Sequence, residues 1–422
     1  MAAGDIIDRV NRYLINHTDF FKVKDELSDS QLKEFVLKAI QDLCKIENLS
    51  LSADQREILA GNLVSAVVSL GPIRPLMEDQ TITEIMINGF DQIYIQRDGR
   101  IVKTDVKFQD NRHLLHTIHK ILEGSGSNKR VDESSPYVDF SLADGSRVNV
   151  ILPPCSMVGP CMTIRKFRND IGSVDDLIEL KMFDKKIATL MIAAMKAKLN
   201  VVYCGSTGAG KTTMMNVFSQ HIPSHERIIT IEDTPELILK QEHVVTLATK
   251  PANIEGRGQI EMDELFRNCL RMRPDRIIIG EVRGGEMLDM IQSITSGHSG
   301  SLAIVHAETP EDCFSRMITM VLMTGIRLST SEIQKQVANA IDLIVHIELF
   351  MDGLRRVTHI SDLTHDKATG KNVMHHVFQF IEEGLDEKGE IVGQWKMDKR
   401  TPSFYQKFKK RRVTLPEGFF ES

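Results

Sequence analysis

The spacing of apolar residues predicts helices over the first 70 residues. From Leu32 to Leu43 they recur every three or four positions, which is the period of one helix face. A second stripe, Leu59 to Leu70, follows Ser52-Ala-Asp-Gln55, a pattern typical of a helix capping box, and Gly71-Pro72 ends it. We therefore predict a small helical module over residues 1–70.

The pattern changes at residue 71. Short β-prone segments are separated by turn signals at Asn88-Gly89 and Asp98-Gly99, and one helical stretch, Leu114–Leu122, interrupts them. This texture predicts an α+β domain over residues 71–168. Residues 169–178 are polar and contain glycine, so we interpret them as a linker.

From residue 179 onward, apolar strands alternate with amphipathic helices. Such alternation predicts βαβ units, a largely parallel sheet and therefore an α/β fold class. The last 70 residues return to β-like segments, so we predict one domain over residues 179–422 with a β-rich C-terminal extension. The basic segment KFKKRR near the end is interpreted as a solvated tail, with docking at a membrane platform as the alternative.

Composition and charge exclude several classes of protein. Hydrophobic residues make up 42% and charged residues 26% of the 422, the balance of a core-forming protein. No apolar run reaches the ~18–20 residues of a membrane span, and MAAGDIIDRV does not resemble a secretory signal. The formal net charge of −6 counts against nucleic acid as the main partner. Six scattered cysteines without a CxxC pair indicate reduced thiols in a cytoplasmic protein without structural zinc.

The strongest chemical signal is a phosphate-binding loop of the form GxxxxGK[ST] between a predicted strand and a predicted helix. Glycines let the backbone wrap a phosphate, a helix N-terminus supplies partial positive charge, and Lys211 adds a full charge. The hydroxyl of Thr212 can bind Mg²⁺. The candidate nucleotide-binding residues are Gly205, Ser206, Thr207, Gly208, Ala209, Gly210, Lys211, Thr212 and Thr213. The chain is therefore predicted to bind a nucleoside triphosphate with Mg²⁺.

A triphosphate site also needs carboxylates for the metal and for the attacking water. Glu232 and Asp233 follow one predicted strand, and Glu281 follows another, where a parallel sheet places its ligand crevice. An acidic residue after a strand is equally typical of a helix cap or a solvated loop. Their shared position with the phosphate-binding loop makes them candidates.

Histidines and arginines form a weaker set of candidates. His298 and His306 flank a strand, where a side chain could sense the phosphate state, although most lone histidines are packed polar residues. A guanidinium can neutralise the negative charge that phosphoryl transfer develops, although most arginines are solvated. The candidate arginines are Arg147, Arg165, Arg168, Arg271 and Arg273.

Taken together, these motifs give the chain a specific resemblance. It resembles secretion ATPases of the type II/type IV superfamily and is most similar to the CpaF family of Tad/Flp pilus assembly motors. The likeness runs from about Leu70 to Leu363 and rests on GSTGAGKTT, TIEDTPEL (the Asp box), RMRPDRIIIGEVRGGE (an atypical Walker B segment) and TSGHSGSLAIVHA (the His box). It implies a RecA-like P-loop motor domain preceded by a PAS-like α+β domain.

The resemblance also implies roles for single residues. Lys211 and Thr212 would hold the phosphates of ATP and Mg²⁺, and Glu281 would support the metal. Glu232 would position or deprotonate the attacking water, and His298 would report the γ-phosphate. The two arginines that would reach the nucleotide from the preceding domain are Arg147 and Arg165.

At the level of the whole protein, the resemblance implies a homo-hexameric ATPase. It would act in the cytoplasm, peripheral to the inner membrane through platform proteins, and power assembly of a Tad/Flp-type pilus, with retraction left open. No direct contact with nucleic acid is expected. The alternatives are a conjugative type IV secretion or nucleic-acid-translocating ATPase of the same superfamily, and a nucleotide-gated ring scaffold with little turnover.

Overall fold

The computed structural model divides the chain into an N-terminal unit, residues 1–168, and a C-terminal unit, residues 169–422. Each is described by itself. The residues described are Val10, Tyr13, 29–46, 51–53, 55–57, 59–61, 70–97, 99–126, 129–142, 144–166, 171–250, 252, 257–366, 369–387 and 389–421.

The predicted helical stripe of the N-terminal unit forms helix α1, Asp29–Ile46. Its apolar positions Val36 and Ile40 are fully buried, in a small core that also contains Leu59. The predicted capping box is confirmed: the Ser52 hydroxyl accepts the Gln55 N–H at 3.1 Å, and the Gln55 side chain accepts the Ser52 N–H at 2.9 Å. Most of the predicted second stripe, residues 62–69, lies outside the described residues.

The β-prone segments of the predicted α+β domain form an antiparallel six-stranded sheet in the order β3-β2-β1-β6-β5-β4. After a single 3₁₀ turn at Gly71–Ile73 comes helix α2, Arg74–Glu78, and the longer α3, Asn111–Gly124, begins where Asp110 accepts the His113 N–H. Apolar residues of α3 and of alternate strand positions share one core. The strands are β1 Ile82–Asn88, β2 Ile93–Arg97, β3 Arg100–Lys103, β4 Tyr137–Ser141, β5 Arg147–Ile151 and β6 Cys161–Arg165.

The C-terminal unit is built on a nine-stranded sheet in the order β15-β14-β13-β12-β7-β11-β10-β8-β9. Six neighbouring strands are parallel, in the order β9-β8-β10-β11-β7-β12. Strands β13, β14 and β15 continue the same sheet with antiparallel pairing. The predicted α/β class is confirmed. The strands are β7 Val201–Gly205, β8 Ile228–Glu232, β9 Val244–Ala248, β10 Arg276–Ile279, β11 Leu302–His306, β12 Leu343–Leu349, β13 Arg355–His365, β14 Asn372–Leu385 and β15 Ile391–Met397.

Helices cover both faces of this sheet, which explains why the central strands are buried along almost their whole length and are mostly apolar. In β7, Val201 and Tyr203 face one core, whereas Val202 and Cys204 face the other. Helices α4, α5, α6 and α11 pack on the first face, and α7 to α10 on the second. The helices are α4 Val174–Glu179, α5 Lys185–Lys196, α6 Lys211–Ser219, α7 Met262–Cys269, α8 Glu286–Thr295, α9 Pro310–Met323, α10 Thr330–Ala340 and α11 Tyr405–Arg411.

The predicted linker 169–178 is not wholly irregular. Ser173 and Asp176 form a reciprocal capping box, so the chain is already helical from Val174, and Leu177 is buried in the first core. Among the described residues, no helix is both long and apolar enough to cross a bilayer.

Candidate functional site

The ends of four parallel strands bring the phosphate-binding loop, Glu232, Glu281 and His306 to one edge of the sheet. Strand β7 ends at Gly205, level with His306 at the end of β11. Strand β8 ends at Glu232, and β10 ends two residues before Glu281. Because these strands are parallel, their carboxyl ends share one edge, which is where α/β sheets bind ligands.

The phosphate-binding loop adopts a backbone that glycine makes possible. Gly205, Gly208 and Gly210 have φ values of +148°, +77° and +95°. A Cβ on Gly205 would collide with the carbonyl oxygen of Ile347 on β12. Helix α6 begins directly after Gly210, so its N-terminal N–H groups lie at the edge of the sheet, a natural site for an anion.

Lys211 lies folded against this loop. Its side chain is buried, with the residue 5% exposed, and Nζ donates to the carbonyl oxygens of Ser206 at 2.6 Å and Gly205 at 3.1 Å. An ammonium held by carbonyl dipoles can exchange them for the stronger partner that a phosphate offers. The loop, the helix terminus and the buried ammonium together fit a triphosphate.

Glu232 is placed at this edge but turns its carboxylate into the protein. The residue is 2% exposed, and Oε2 accepts the backbone N–H groups of Glu236 at 2.6 Å and Leu237 at 3.0 Å. Its Cγ also packs on Gly280, where an added Cβ would lie 2.8 Å away. In this conformation Glu232 therefore holds the Asp-box loop, while the neighbouring Asp233 is exposed.

Glu236 is a site residue that the sequence analysis missed. Its Oε2 lies 3.5 Å from the hydroxyl oxygen of Thr212, and its loop is docked on α6, where the Asn216 side chain accepts the Ile238 N–H at 3.1 Å. Adjacent oxygen ligands of an octahedral Mg²⁺ lie about 3 Å apart, so a small adjustment would let both oxygens bind one ion. The available signal was a second glutamate in TIEDTPEL, four residues after the first.

Glu281 is held by two basic side chains. Arg283 donates to both carboxylate oxygens at 2.7 Å, and Nε2 of His306 lies 3.3 Å from Oε1. Burial by itself would raise the pKa of Glu281, but the hydrogen bonds from His306 and Arg283 outweigh it and bring the pKa to about 2. Glu281 is therefore ionised, one strand beyond β11 as seen from the phosphate-binding loop.

The structure does not bring His298 to this edge. His298 precedes β11, whose first residue Leu302 is level with Val201 at the start of β7. Within one chain, His298 thus lies at the opposite edge of the sheet from the phosphate-binding loop. The reason is topological, because β11 lies between the two histidines: His298 precedes the strand and His306 is its last residue.

The predicted arginines are not gathered at the site within the C-terminal unit. Arg147 and Arg165 are directly opposite each other on β5 and β6 of the N-terminal unit, and Arg165 Nε lies 3.9 Å from Glu84 Oε1. Their reach to a nucleotide stays a prediction. Arg271 and Arg273 precede β10 and so lie at the opposite edge of the sheet, and Arg168 lies outside the described residues.

Comparison with known proteins identifies a family. The family model described as Type II/IV secretion system protein matches residues 67–373. A Mycobacterium tuberculosis (strain H37Rv) protein provisionally assigned to conjugal transfer is 30% identical over 315 residues, which are 73% of this chain and 88% of that protein. The type IV secretion system protein VirB11 of Brucella suis is 31% identical over 332 residues, 71% of this chain and 90% of VirB11.

Among solved structures, similarity extends to the crystal structure of the VirB11 ATPase from the Brucella suis type IV secretion system in complex with sulphate. The identity is 29%, with 70% of this chain and 97% of that chain covered, and the TM-score is 0.37.

Proposed function

Because the chain belongs to the Type II/IV secretion system protein family, we propose that it is an ATP-hydrolysing motor of a secretion or pilus system. One observation carries the proposal: the phosphate-binding loop, the Lys211 ammonium, the Thr212–Glu236 pair and the Glu281 carboxylate share one edge of the parallel sheet. A cradle, a cation and several carboxylates are the groups that transfer of a phosphoryl group to water requires.

In this proposal, Lys211 leaves the carbonyl groups of its own loop and binds phosphate oxygens, while the N-terminal N–H groups of α6 bind the remaining charge. Thr212 and Glu236 would hold Mg²⁺, with Glu281 as a further supporting carboxylate. When bound, Mg²⁺ neutralises phosphate charge.

Glu232 is the proposed general base. Its Oε2 accepts two backbone N–H groups, so it must be released before it can take a proton from water. Engagement of Glu236 by metal and nucleotide would move the same loop and provide that release. We propose His306 in place of His298 as the residue that reports the γ-phosphate, because His306 is level with Gly205 and contacts Glu281.

At a finer level, we propose a homo-hexamer in which cycles of ATP binding and hydrolysis move the two units of each chain. Arg147 and Arg165 would reach the nucleotide from the N-terminal unit. The α+β domain over residues 71–168 would be PAS-like, and the C-terminal unit would be RecA-like. The motif set described above supports placement in the CpaF branch, driving Tad/Flp pilus assembly from the cytoplasmic side through an inner-membrane platform.

A conjugative or type IV secretion role is the second candidate. The specific observation in its favour is the 30–31% identity to the conjugal-transfer relative and to VirB11. The rate of ATP hydrolysis with and without DNA separates nucleic-acid translocation from the pilus role. A nucleic-acid translocase is expected to hydrolyse ATP faster when DNA is present, whereas a pilus motor is expected to hydrolyse it at the same rate.

Replacing the carboxylates by amides tests the chemistry. Glu232→Gln keeps an oxygen for both backbone N–H groups but removes the base, so we expect kcat to fall about 100-fold or more with little change in nucleotide affinity. Glu236→Gln is expected to raise the Mg²⁺ concentration required for half-maximal rate. Glu417→Gln, at an exposed position, is the control.

Steady-state phosphate release as a function of MgATP and Mg²⁺ gives these values. Wild-type rates in both site variants would remove these two assignments. A wild-type ring that binds ATP without turnover would favour the scaffold alternative.

A further inference from the structure

The turn between β12 and β13 carries an arginine to the phosphate-binding loop. Strand β12 runs parallel to β7, and the chain returns as β13, with Arg355 paired opposite Leu349. Arg355 Nε donates to the carbonyl oxygen of Gly208 at 2.7 Å, and Cδ lies 3.3 Å from where a Cβ on Gly210 would be. One side chain from the C-terminal extension therefore contacts two glycines of the loop.

The contact controls the orientation of a peptide group. The Gly208 carbonyl and the Ala209 N–H belong to one planar trans peptide and point in opposite directions. When the guanidinium holds the carbonyl, the N–H is held on the other side, where it now donates to Ser206 O at 3.4 Å. Because glycine gives this loop unusual backbone freedom, an external hydrogen bond from a charged donor limits rotation of the peptide.

The arginine is presented by a rigid turn. The next residue, Arg356, forms a buried ion pair with Asp352, with Nη2 and Oδ2 2.7 Å apart, and its guanidinium lies 4.9 Å from the centre of the Phe350 ring. Asp352 also accepts the N–H of Ile391 on β15 at 2.9 Å. The Arg356–Asp352 pair thus links the β12–β13 turn to β15, while Arg355 contacts the phosphate-binding loop.

We propose that Arg355 is a positioning residue of the nucleotide site, which orients the Gly208–Ala209 peptide for binding of the phosphates. The inference rests on the proposed ATP site and deepens it, because it makes the C-terminal extension part of the nucleotide-binding structure. A preorganised loop binds substrate and transition state equally well. Removal of Arg355 is therefore expected mainly to lower the affinity for the nucleotide.

The test uses the full chain and a fluorescent ATP analogue with Mg²⁺, alongside ATP hydrolysis. Arg355→Ala is expected to raise Kd and KM about tenfold or more, with a smaller fall in kcat and an unchanged thermal midpoint. Millimolar guanidinium chloride should recover part of the lost affinity in this variant and none in Lys211→Ala. Arg400→Ala, an exposed arginine of the same extension, should behave as wild type.

Two results would overturn the inference alone: wild-type affinity in Arg355→Ala, or an affinity loss that accompanies a lowered thermal midpoint and ignores guanidinium. Absence of MgATP binding by the wild-type chain would instead reject the proposed function and this inference with it.

Discussion

Gly205 shows how a single residue sets the geometry of the candidate site. It has φ of +148° and no room for a Cβ beside Ile347 O, whereas Gly208 has φ of +77° with open space where a Cβ would stand. We expect Gly205→Ala to abolish nucleotide binding and to lower the thermal midpoint, because both strain and a clash arise. Gly208→Ala adds strain alone and should lower the midpoint less. Equal midpoints for the two variants in thermal unfolding would contradict this reading.

The sequence could identify residues whose chemistry is local and could not identify those whose role depends on neighbours in space. Lys211 and Thr212 follow from the spacing of one motif, and its strand and helix context is confirmed. Glu236 and Arg355 were missed because their contacts join residues 24 and 147 positions apart. The γ-phosphate role of His298 came from the resemblance alone, whereas in the structure it is His306 that lies level with Gly205 at the end of β11.

At the scale of elements, the βαβ pattern and the β-rich extension could be predicted from the sequence, but the antiparallel pairing of that extension and the helical structure of the C-terminal basic segment could not. KFKKRR contributes to helix α11 rather than to a solvated tail, because Phe408 is fully buried against the first core and Lys407 Nζ lies 2.7 Å from Asp342 Oδ2. The remaining cations stay exposed. Docking of this basic face at a membrane platform stays a prediction.

The buried face of α11 gives a stability prediction. Phe408→Ala is expected to lower the free energy of unfolding of the C-terminal unit by about 3–5 kcal/mol, through lost burial and the cavity left behind. Lys410→Ala, on the exposed side of the same helix, should change it by less than about 0.5 kcal/mol. Urea denaturation followed by tryptophan fluorescence can compare them through Trp395, the chain's single tryptophan. Similar losses in the two variants would mean that α11 is not docked.

Three neighbouring strands, β12, β13 and β14, also carry a row of histidines, His346, His359 and His376. The His359 ring centroid lies 6.2 Å from that of His346 and 4.7 Å from that of His376. Burial, then the nearby His376 and His346, lowers the pKa of His359 to about 4, while Glu311 acts in the opposite direction. Burial also lowers the pKa of His346, with Lys211 adding to the effect and Glu311 and the backbone of Glu308 and Ala307 opposing it.

The histidine row predicts a pH dependence of stability. A folded-state pKa of about 4, below the unfolded value of about 6.5, means that the unfolded chain takes up the proton first. The stabilising contribution of neutral His359 is therefore present above about pH 6.5 and is lost as the pH falls toward 4. We expect the thermal midpoint of the wild type to fall between pH 7 and pH 5, and His359→Gln to reduce that fall. His225→Gln, an exposed histidine, should leave it unchanged. An identical pH profile in all three proteins would contradict the assignment.

At the scale of the whole molecule, the proposed ring requires that the chain assemble. We expect light scattering after size exclusion to give the mass of six chains in the presence of MgATP, because the resemblance to the CpaF family implies a homo-hexamer. A monomer at every nucleotide state would contradict the hexameric mechanism while leaving the chemistry of the nucleotide site intact.

The central claim is that the edge of the sheet around Lys211 binds and hydrolyses ATP. The most direct measurement is steady-state phosphate release from MgATP by the wild type and by Lys211→Ala, with Lys335→Ala, an exposed lysine on α10, as the matched control. We predict turnover by the wild type and the control at equal rates, and a loss of about 100-fold or more in Lys211→Ala. Hydrolysis by Lys211→Ala at the wild-type rate would contradict the account.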